Sequence, residues 1–374
     1  MRENKAMGLL LAGGGSAAMG ALIDRRTIGS VPFGARYRLI DFILSDMVHA
    51  GIWDIGVITR DKYESLMDHL GSGRDWDLSR KDGGLTLLPP FVAQAGSGAY
   101  RGELEALFTY RRYIRNVQAR FVVLATTDLI GPIDLDAVIE QHASSGADIT
   151  AVCKRIDDPR DLGEHPLVFT LGEAHRVTDV TVNAPWHGPC DRYLGVMVLK
   201  KDRLLELLDE LASHNRFQLG RDLLQGGMGQ LDIRAFELES YCVKIQNLET
   251  YYRASMSLLD PAIRRTLFYS DTPVLTRVRD EAPTKYGLSS SVKNSLLSDG
   301  CIIDGTVESS ILFRGVKIGR GAVIQNCILM QGTEVAANAH LSYVIADRRC
   351  YINEERILSG FSSYPVVIGK ESVV

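Results

Sequence analysis

Apolar and polar residues alternate in two different ways along this chain. Up to about residue 260, short apolar runs are separated by helix-like stretches. The runs Gly8 to Ala12, Asp54 to Thr59, Phe121 to Thr126 and Asp148 to Cys153 are rich in Val, Ile and Leu and have the length of buried strands. Between them lie amphipathic segments such as 103–117 and 202–212, the latter reading DRLLELLDELA. Strands alternating with helices predict a mostly parallel sheet covered on both faces. Ligands of such sheets bind beyond the carboxyl ends of the strands, which points to the loops after Ala12 and Thr126.

After about residue 290 apolar positions recur every six residues: Leu312, Ile318, Ile324 and Met330, then Val335 and Leu341, then Ile345, Tyr351 and Ile357. Glycine and small residues fill the intervals, as in RGVKIGRGAVIQNC. A six-residue period puts one face of a triangular coil in each hexad and predicts a parallel β-helix. Antiparallel strands of fortuitous spacing are the plainer alternative. The expected organisation is an α/β domain over 1–260, a linker over 261–290 and a β-helix over 291–374.

Composition narrows the functional classes. The chain has 374 residues, 45% hydrophobic and 24% charged, with a formal net charge of -4. That length suits two domains with sizeable cores. The charge gives no reason to expect nucleic acid or an anionic membrane as partner. No apolar stretch reaches the roughly eighteen residues of a membrane span. The apolar run near the start enters a glycine turn, which reads as a first strand rather than a signal peptide. Cys153, Cys190, Cys242, Cys301, Cys327 and Cys350 are scattered without a CxxC pair, as expected in a reducing cytoplasm.

The segment LLLAGGGSAAMG joins a strand to a helix, where backbone amides can cradle a phosphate. It is neither a Walker loop nor a GxGxxG fingerprint, and any sharp strand-to-helix turn favours glycine. The next segment is more specific. VPFGARYRLIDFILSDMVHAGIWDIGVIT, Val31 to Thr59, resembles the ADP-glucose pyrophosphorylase (glucose-1-phosphate adenylyltransferase) family, with its PFGGKYRIIDF-like motif followed by LSN, SGI and IGVLT. The resemblance continues through Trp76-Asp77-Leu78, Leu87 to Pro90, Tyr100 to Gly102, Phe217 to Leu224 and Asn247 to Leu259, and ends in the hexads. It implies an α/β nucleotidyltransferase domain (Rossmann-like, mostly parallel sheet) followed by a left-handed parallel β-helix. It also implies a role in making ADP-glucose for glycogen from ATP and glucose 1-phosphate.

Against that family the departures carry the information. The phosphate loop AGGxGxRL keeps Gly13 and Gly14, but its last glycine is Ser16 and its arginine is Ala18. The lysine of RAKPAVPFG is Ile28, with Gly29 in place of the proline. Adenylyl transfer needs positive charge where charge develops on the phosphates, and one such group contributes roughly 3–4 kcal/mol. The two metal aspartates fare unequally. Asp128 is retained, with Asp134 at the family's offset, whereas the position in the WRDVGT motif is Lys244, an ammonium that repels Mg²⁺. In the sugar-phosphate motif FVEKP the glutamate and lysine correspond to Asn183 and Ala184.

Losses at triphosphate, metal and sugar-phosphate positions imply a regulatory subunit with little or no activity alone. Such a subunit needs no cofactor, the Mg²⁺ belonging to a catalytic homologue in a heterotetramer. Arg25, Arg26 and Arg38 match the family's effector-site positions, where arginine forks suit a phosphorylated sugar or nucleotide. Arg348 joins them if one residue is inserted. The plainer reading makes these solvated arginines, and makes Asp128 a loop cap. Two other functions stay open: an active sugar nucleotidyltransferase with a modified site, and a β-helix acyltransferase for which His340 is the sole candidate histidine.

Overall fold

The computed structural model describes residues 5–13, 17–90 and 100–374. They form two compact units, and the division does not follow the sequence boundaries at 260 and 290. The first unit comprises 5–13, 27–29 and 42–244; the second comprises 17–26, 30–41 and 245–374.

The first unit is built on a nine-stranded sheet. Its strands are β1 (Ala6–Leu11), β2 (Asp54–Ile58), β3 (Gly84–Leu88), β4 (Phe121–Thr126), β5 (Ile149–Ile156), β6 (Leu167–Leu171), β7 (Val177–Val182), β8 (Cys190–Lys200) and β9 (Ile233–Glu237). They lie in the order β7-β6-β8-β4-β1-β2-β3, with β5 beside β8 and β9 beside β5. β4, β1, β2 and β3 run parallel, and β8 runs antiparallel to β4, β5 and β6. Every residue of β1 is buried, which explains its unbroken apolar run. The chain leaves β1 towards β2 and later returns to its other side as β4. This reversal opens a crevice where Leu11 pairs with Thr126.

Two helices show how the flanking layers are held. α1 (Leu135–Ser145) starts at Asp134, whose carboxylate accepts the Ala137 N–H at 3.0 Å, so Asp134 is a helix cap. α2 (Lys201–Ser213) buries Leu204, Leu207, Leu208 and Leu211, one stripe at helical spacing, in the core around β4 and β8. β8 itself is irregular. Its register against β5 shifts between Tyr193 and Met197, and Gly195 there has a φ of 92° that a side chain would strain.

The second unit is dominated by three five-stranded parallel sheets wound as one coil. Successive coils pair Ile302 with Lys317 and Lys317 with Glu334, and likewise Val307 with Ile324 and Ile324 with Leu341. Ile303, Ile318, Val335 and Ile352 fill the interior from one sheet, and Val307, Ile324 and Leu341 from the next. Left-handed residues stack at the corners: Asn294, Ser309, Asn326 and Tyr343 form one column, Gly300, Gly315, Gly332 and Arg349 another. The hexad phase breaks first at Met330, because Leu329 is the residue stacked between Leu312 and Ala346, and it breaks again after Leu341. Tyr351 and Ile357 are exposed, and Ile352 and Leu358 take the inward places, because a one-residue slip reverses every side chain on a strand. Strands begin at Lys285, ahead of the expected start at 291, and the stretch read as a linker opens with a helix over Pro261–Phe268.

The same unit contains α3 (Leu248–Ser257), begun by a reciprocal cap between Asn247 and Thr250. Tyr252 of α3 donates to the Asn326 carbonyl at 2.8 Å, and Tyr251 to that of Pro32 at 2.6 Å. Among the described residues no helix is long and apolar enough to cross a membrane.

Candidate functional site

In the first unit β1 and β4 end side by side at the crevice, Leu11 opposite Thr126. Gly13 faces the stem of Arg60, which would collide with any side chain there; the Arg60 guanidinium donates to the Tyr100 carbonyl at 2.6 Å. Gly14 lies outside the described residues. Asp128 stands two residues beyond β4, its side chain 15% exposed. Its Oδ1 accepts the Thr126 hydroxyl at 2.6 Å and the Lys244 ammonium at 2.8 Å. Lys244 reaches this point because Val243–Lys244 pairs antiparallel with Leu129–Ile130, setting Lys244 opposite Leu129. The ammonium also donates to Thr126 Oγ1 and to the Leu194 carbonyl, each at 2.9 Å. Burial pushes the Lys244 pKa down, opposed by the neighbouring Asp128 carboxylate.

A second cation was not singled out from the sequence. Arg192 of β8 is 2% exposed and donates through Nη1 to the Asp161 carbonyl at 2.5 Å; its Nη2 has no partner among the described residues. Burial lowers its pKa to about 10, with the Asp128 charge foremost among those opposing the shift. A lone arginine in a strand reads as surface, so only the fold reveals it.

The remaining positions read as losses carry no charge. Ile28 is buried in a short turn at Ile28–Ser30. Ala184 is half-buried, its N–H donating to the Pro166 carbonyl at 3.2 Å. Asn183 is exposed with its side-chain oxygen 3.1 Å from His165 Nδ1. Ala18 belongs to the second unit, half-buried on the helical turns Ala17–Ile23.

The second unit gathers three of the four arginines expected at an effector site. Arg26 is 4% exposed, and its Nη2 donates to both carboxylate oxygens of Asp347 at 2.8 Å. Arg348 donates its backbone N–H to Asp347 at 2.7 Å and its Nη2 to Gln331 at 3.1 Å. Burial, then the neighbouring Arg348, holds Arg38 well below the usual arginine range, with Arg26 and Arg279 adding to the shift. Arg348 is pushed the same way by burial, Arg26, Arg349 and Arg279. Arg25 is not part of this group. It is exposed and pairs with Glu371 at 3.3 Å, a carboxylate shared with Arg349. Arg279, in the stretch read as linker, joins the cluster, and buried Arg314 has Arg36 and Arg279 among its neighbours. No motif marked either one.

The sequence matches the nucleotidyl transferase family over residues 7–164 and the GlmU-like C-terminal hexapeptide family over residues 282–360. It is 35% identical over 326 residues to the glycogen biosynthesis protein GlgD of Geobacillus stearothermophilus, covering 86% of this chain and 83% of that one. With GlgD of Bacillus subtilis it shares 30% over 349 residues, 93% and 91% of the two chains. With the glucose-1-phosphate adenylyltransferase of Clostridium perfringens (strain SM101) it shares 27% over 383 residues, 100% and 98%. The chain belongs to the glucose-1-phosphate adenylyltransferase family. Its α/β unit is the nucleotidyltransferase domain of that family, and its coils are the left-handed hexapeptide β-helix. Within the family frame Lys244 stands where a metal aspartate is expected. The donor set does not fit a divalent cation: Asp128 is already bound to an ammonium, and among the described residues no three His, Cys, Asp or Glu side chains gather as ligands.

Proposed function

We propose that this chain is a regulatory subunit of ADP-glucose pyrophosphorylase in glycogen synthesis, inactive or nearly so alone, that modulates a catalytic homologue in a shared oligomer. The observation that carries this reading is the Lys244–Asp128 pair at 2.8 Å. It puts an ammonium where adenylyl transfer needs Mg²⁺ against the phosphates. Ala18, Ile28 and Ala184 remove further charges that would face the substrates.

The regulatory half of the reading rests on Arg38, Arg279 and Arg348, with Arg26 held beside them by Asp347. Their crowding favours an anionic effector, of the class of phosphorylated sugars or nucleotides, whose oxygens guanidinium forks can bind in pairs. An effector that binds one state of the assembly better than another shifts the partner's activity by that difference in affinity.

The test is ADP-glucose synthesis from ATP and glucose 1-phosphate by the purified chain, by the catalytic homologue of the same organism, and by the two co-expressed. The expected result is silence from this chain, with faster turnover or a new effector response in the mixture. Turnover by the chain alone at its homologue's rate overturns the proposal.

A further inference from the structure

The lysine at the metal position is seated in a cradle rather than merely substituted there. Its ammonium has three protons and finds three acceptors: Thr126 Oγ1, Asp128 Oδ1 and the Leu194 carbonyl, at 2.8–2.9 Å. The Leu194 carbonyl belongs to the irregular part of β8. The following residue, Gly195, leaves the space that the ammonium uses. A Cβ there would lie 2.8 Å from Lys244 Nζ and 2.5 Å from Thr126 Oγ1. Buried Arg192 stands near enough for its charge to be felt against Asp128. The carboxylate is therefore faced by two cations of the chain itself.

We propose that Lys244 is a built-in cation that does the structural work of a divalent metal, tying the end of β4, the bulge of β8 and its own strand together and closing the Asp128 site to Mg²⁺. This deepens the reading of catalytic silence and rests on it only in taking this crevice as the family's metal site. The site differs in kind from an empty one: it is already neutralised without any metal, and it keeps its shape in a chelator. Opening it takes removal of the ammonium, and a carboxylate in its place supplies the missing ligand.

Mn²⁺ is the probe, read by the loss of its free electron paramagnetic resonance signal, with Mg²⁺ as competitor. The intact chain is expected to bind no Mn²⁺ through Asp128 and to melt at the same temperature with or without EDTA. Lys244→Asp is expected to bind Mn²⁺ at least ten-fold more tightly than the wild type, with the gain abolished in the double variant Asp128→Asn/Lys244→Asp. Lys244→Asn carries the same comparison should the aspartate variant fail to fold by circular dichroism. Mn²⁺ binding by the wild type that Asp128→Asn removes overturns the proposal. A folded Lys244 variant that binds no more Mn²⁺ than the wild type overturns it equally. A wild type that binds Mn²⁺ at Asp128 yet makes no ADP-glucose rejects this inference and leaves the regulatory reading standing. A wild type that makes ADP-glucose rejects that reading on its own assay.

Discussion

The crevice of the nucleotidyltransferase unit and the arginine cluster of the β-helix unit are both cationic, and they differ in how many like charges stand beside each cation. In the crevice the Lys244 ammonium has an acceptor for each proton, supplied by the chain. In the cluster Arg38 and Arg348 each have other arginines among the charges that lower their pKa. The cluster's carboxylates are engaged within it. Asp347 takes Arg26 and the Arg348 N–H, and Asp41, fully buried, takes the Arg38 N–H at 2.9 Å and the Thr276 hydroxyl at 2.6 Å. A cation whose acceptors are internal adds to the fold and offers little to a ligand. Cations that face one another raise the energy of the free protein, and an anion that enters lowers it.

The comparison breaks most sharply at Asp347. Asp347→Ala leaves the buried Arg26 guanidinium without its counter-charge, and a loss of about 3–5 kcal/mol in denaturant unfolding is expected. Lys244→Met removes a pair whose side chains are 11% and 15% exposed and leaves Asp128 with the Thr126 hydroxyl and the nearby Arg192 charge. The expected loss is smaller, about 2 kcal/mol by the same measurement. Arg348→Gln sharpens the contrast, because it should leave stability level or higher while weakening an anion. Calorimetric titration with fructose 1,6-bisphosphate, fructose 6-phosphate and AMP is expected to show at least a ten-fold loss of affinity, as for one charge-assisted bond of about 1.5–3 kcal/mol. Arg25→Gln, at an exposed pair outside the cluster, should change that titration far less. A separate effect concerns acid. Burial holds His142, hydrogen-bonded to Thr150 at 2.9 Å, at about 4, below its unfolded value near 6.5. A depressed folded pKa stabilises above the unfolded one, so stability is expected to fall as the pH drops from about 6.5 towards 4. His142→Gln should flatten that part of the profile in thermal melts.

How far the sequence foretold this depends on whether a feature is local. Periodicity revealed both architectures, because burial on two faces and six-residue coils each leave a local pattern. It lost the phase at Met330 and again after Leu341, where local spacing cannot tell Tyr351 from Ile352. The identity of Lys244 was legible as a departure from a motif, but its three acceptors were not, since they come from segments the sheet brings together. Arg192, Arg279 and Arg314 left no trace for the same reason. Arg25 and Arg26 looked equivalent as neighbours in sequence, yet one is exposed and the other buried against Asp347. Adjacent residues on a turn face different ways, and only the tertiary partner decides which of them matters.

The Arg26–Asp347 pair joins residues 321 positions apart. On a ribosome adding roughly 5–20 residues per second, Arg26 emerges about a quarter of a minute to a minute before its carboxylate exists. Residues 17–26 and 30–41 belong to the unit completed last, although they are made long before the rest of it. Throughout synthesis the nascent chain must therefore carry a short cationic stretch whose home is still unwritten. A fragment starting at residue 245 would lack that stretch altogether. Truncation cannot separate this protein into its two halves, and the β-helix unit reaches its final form only after translation of the whole chain.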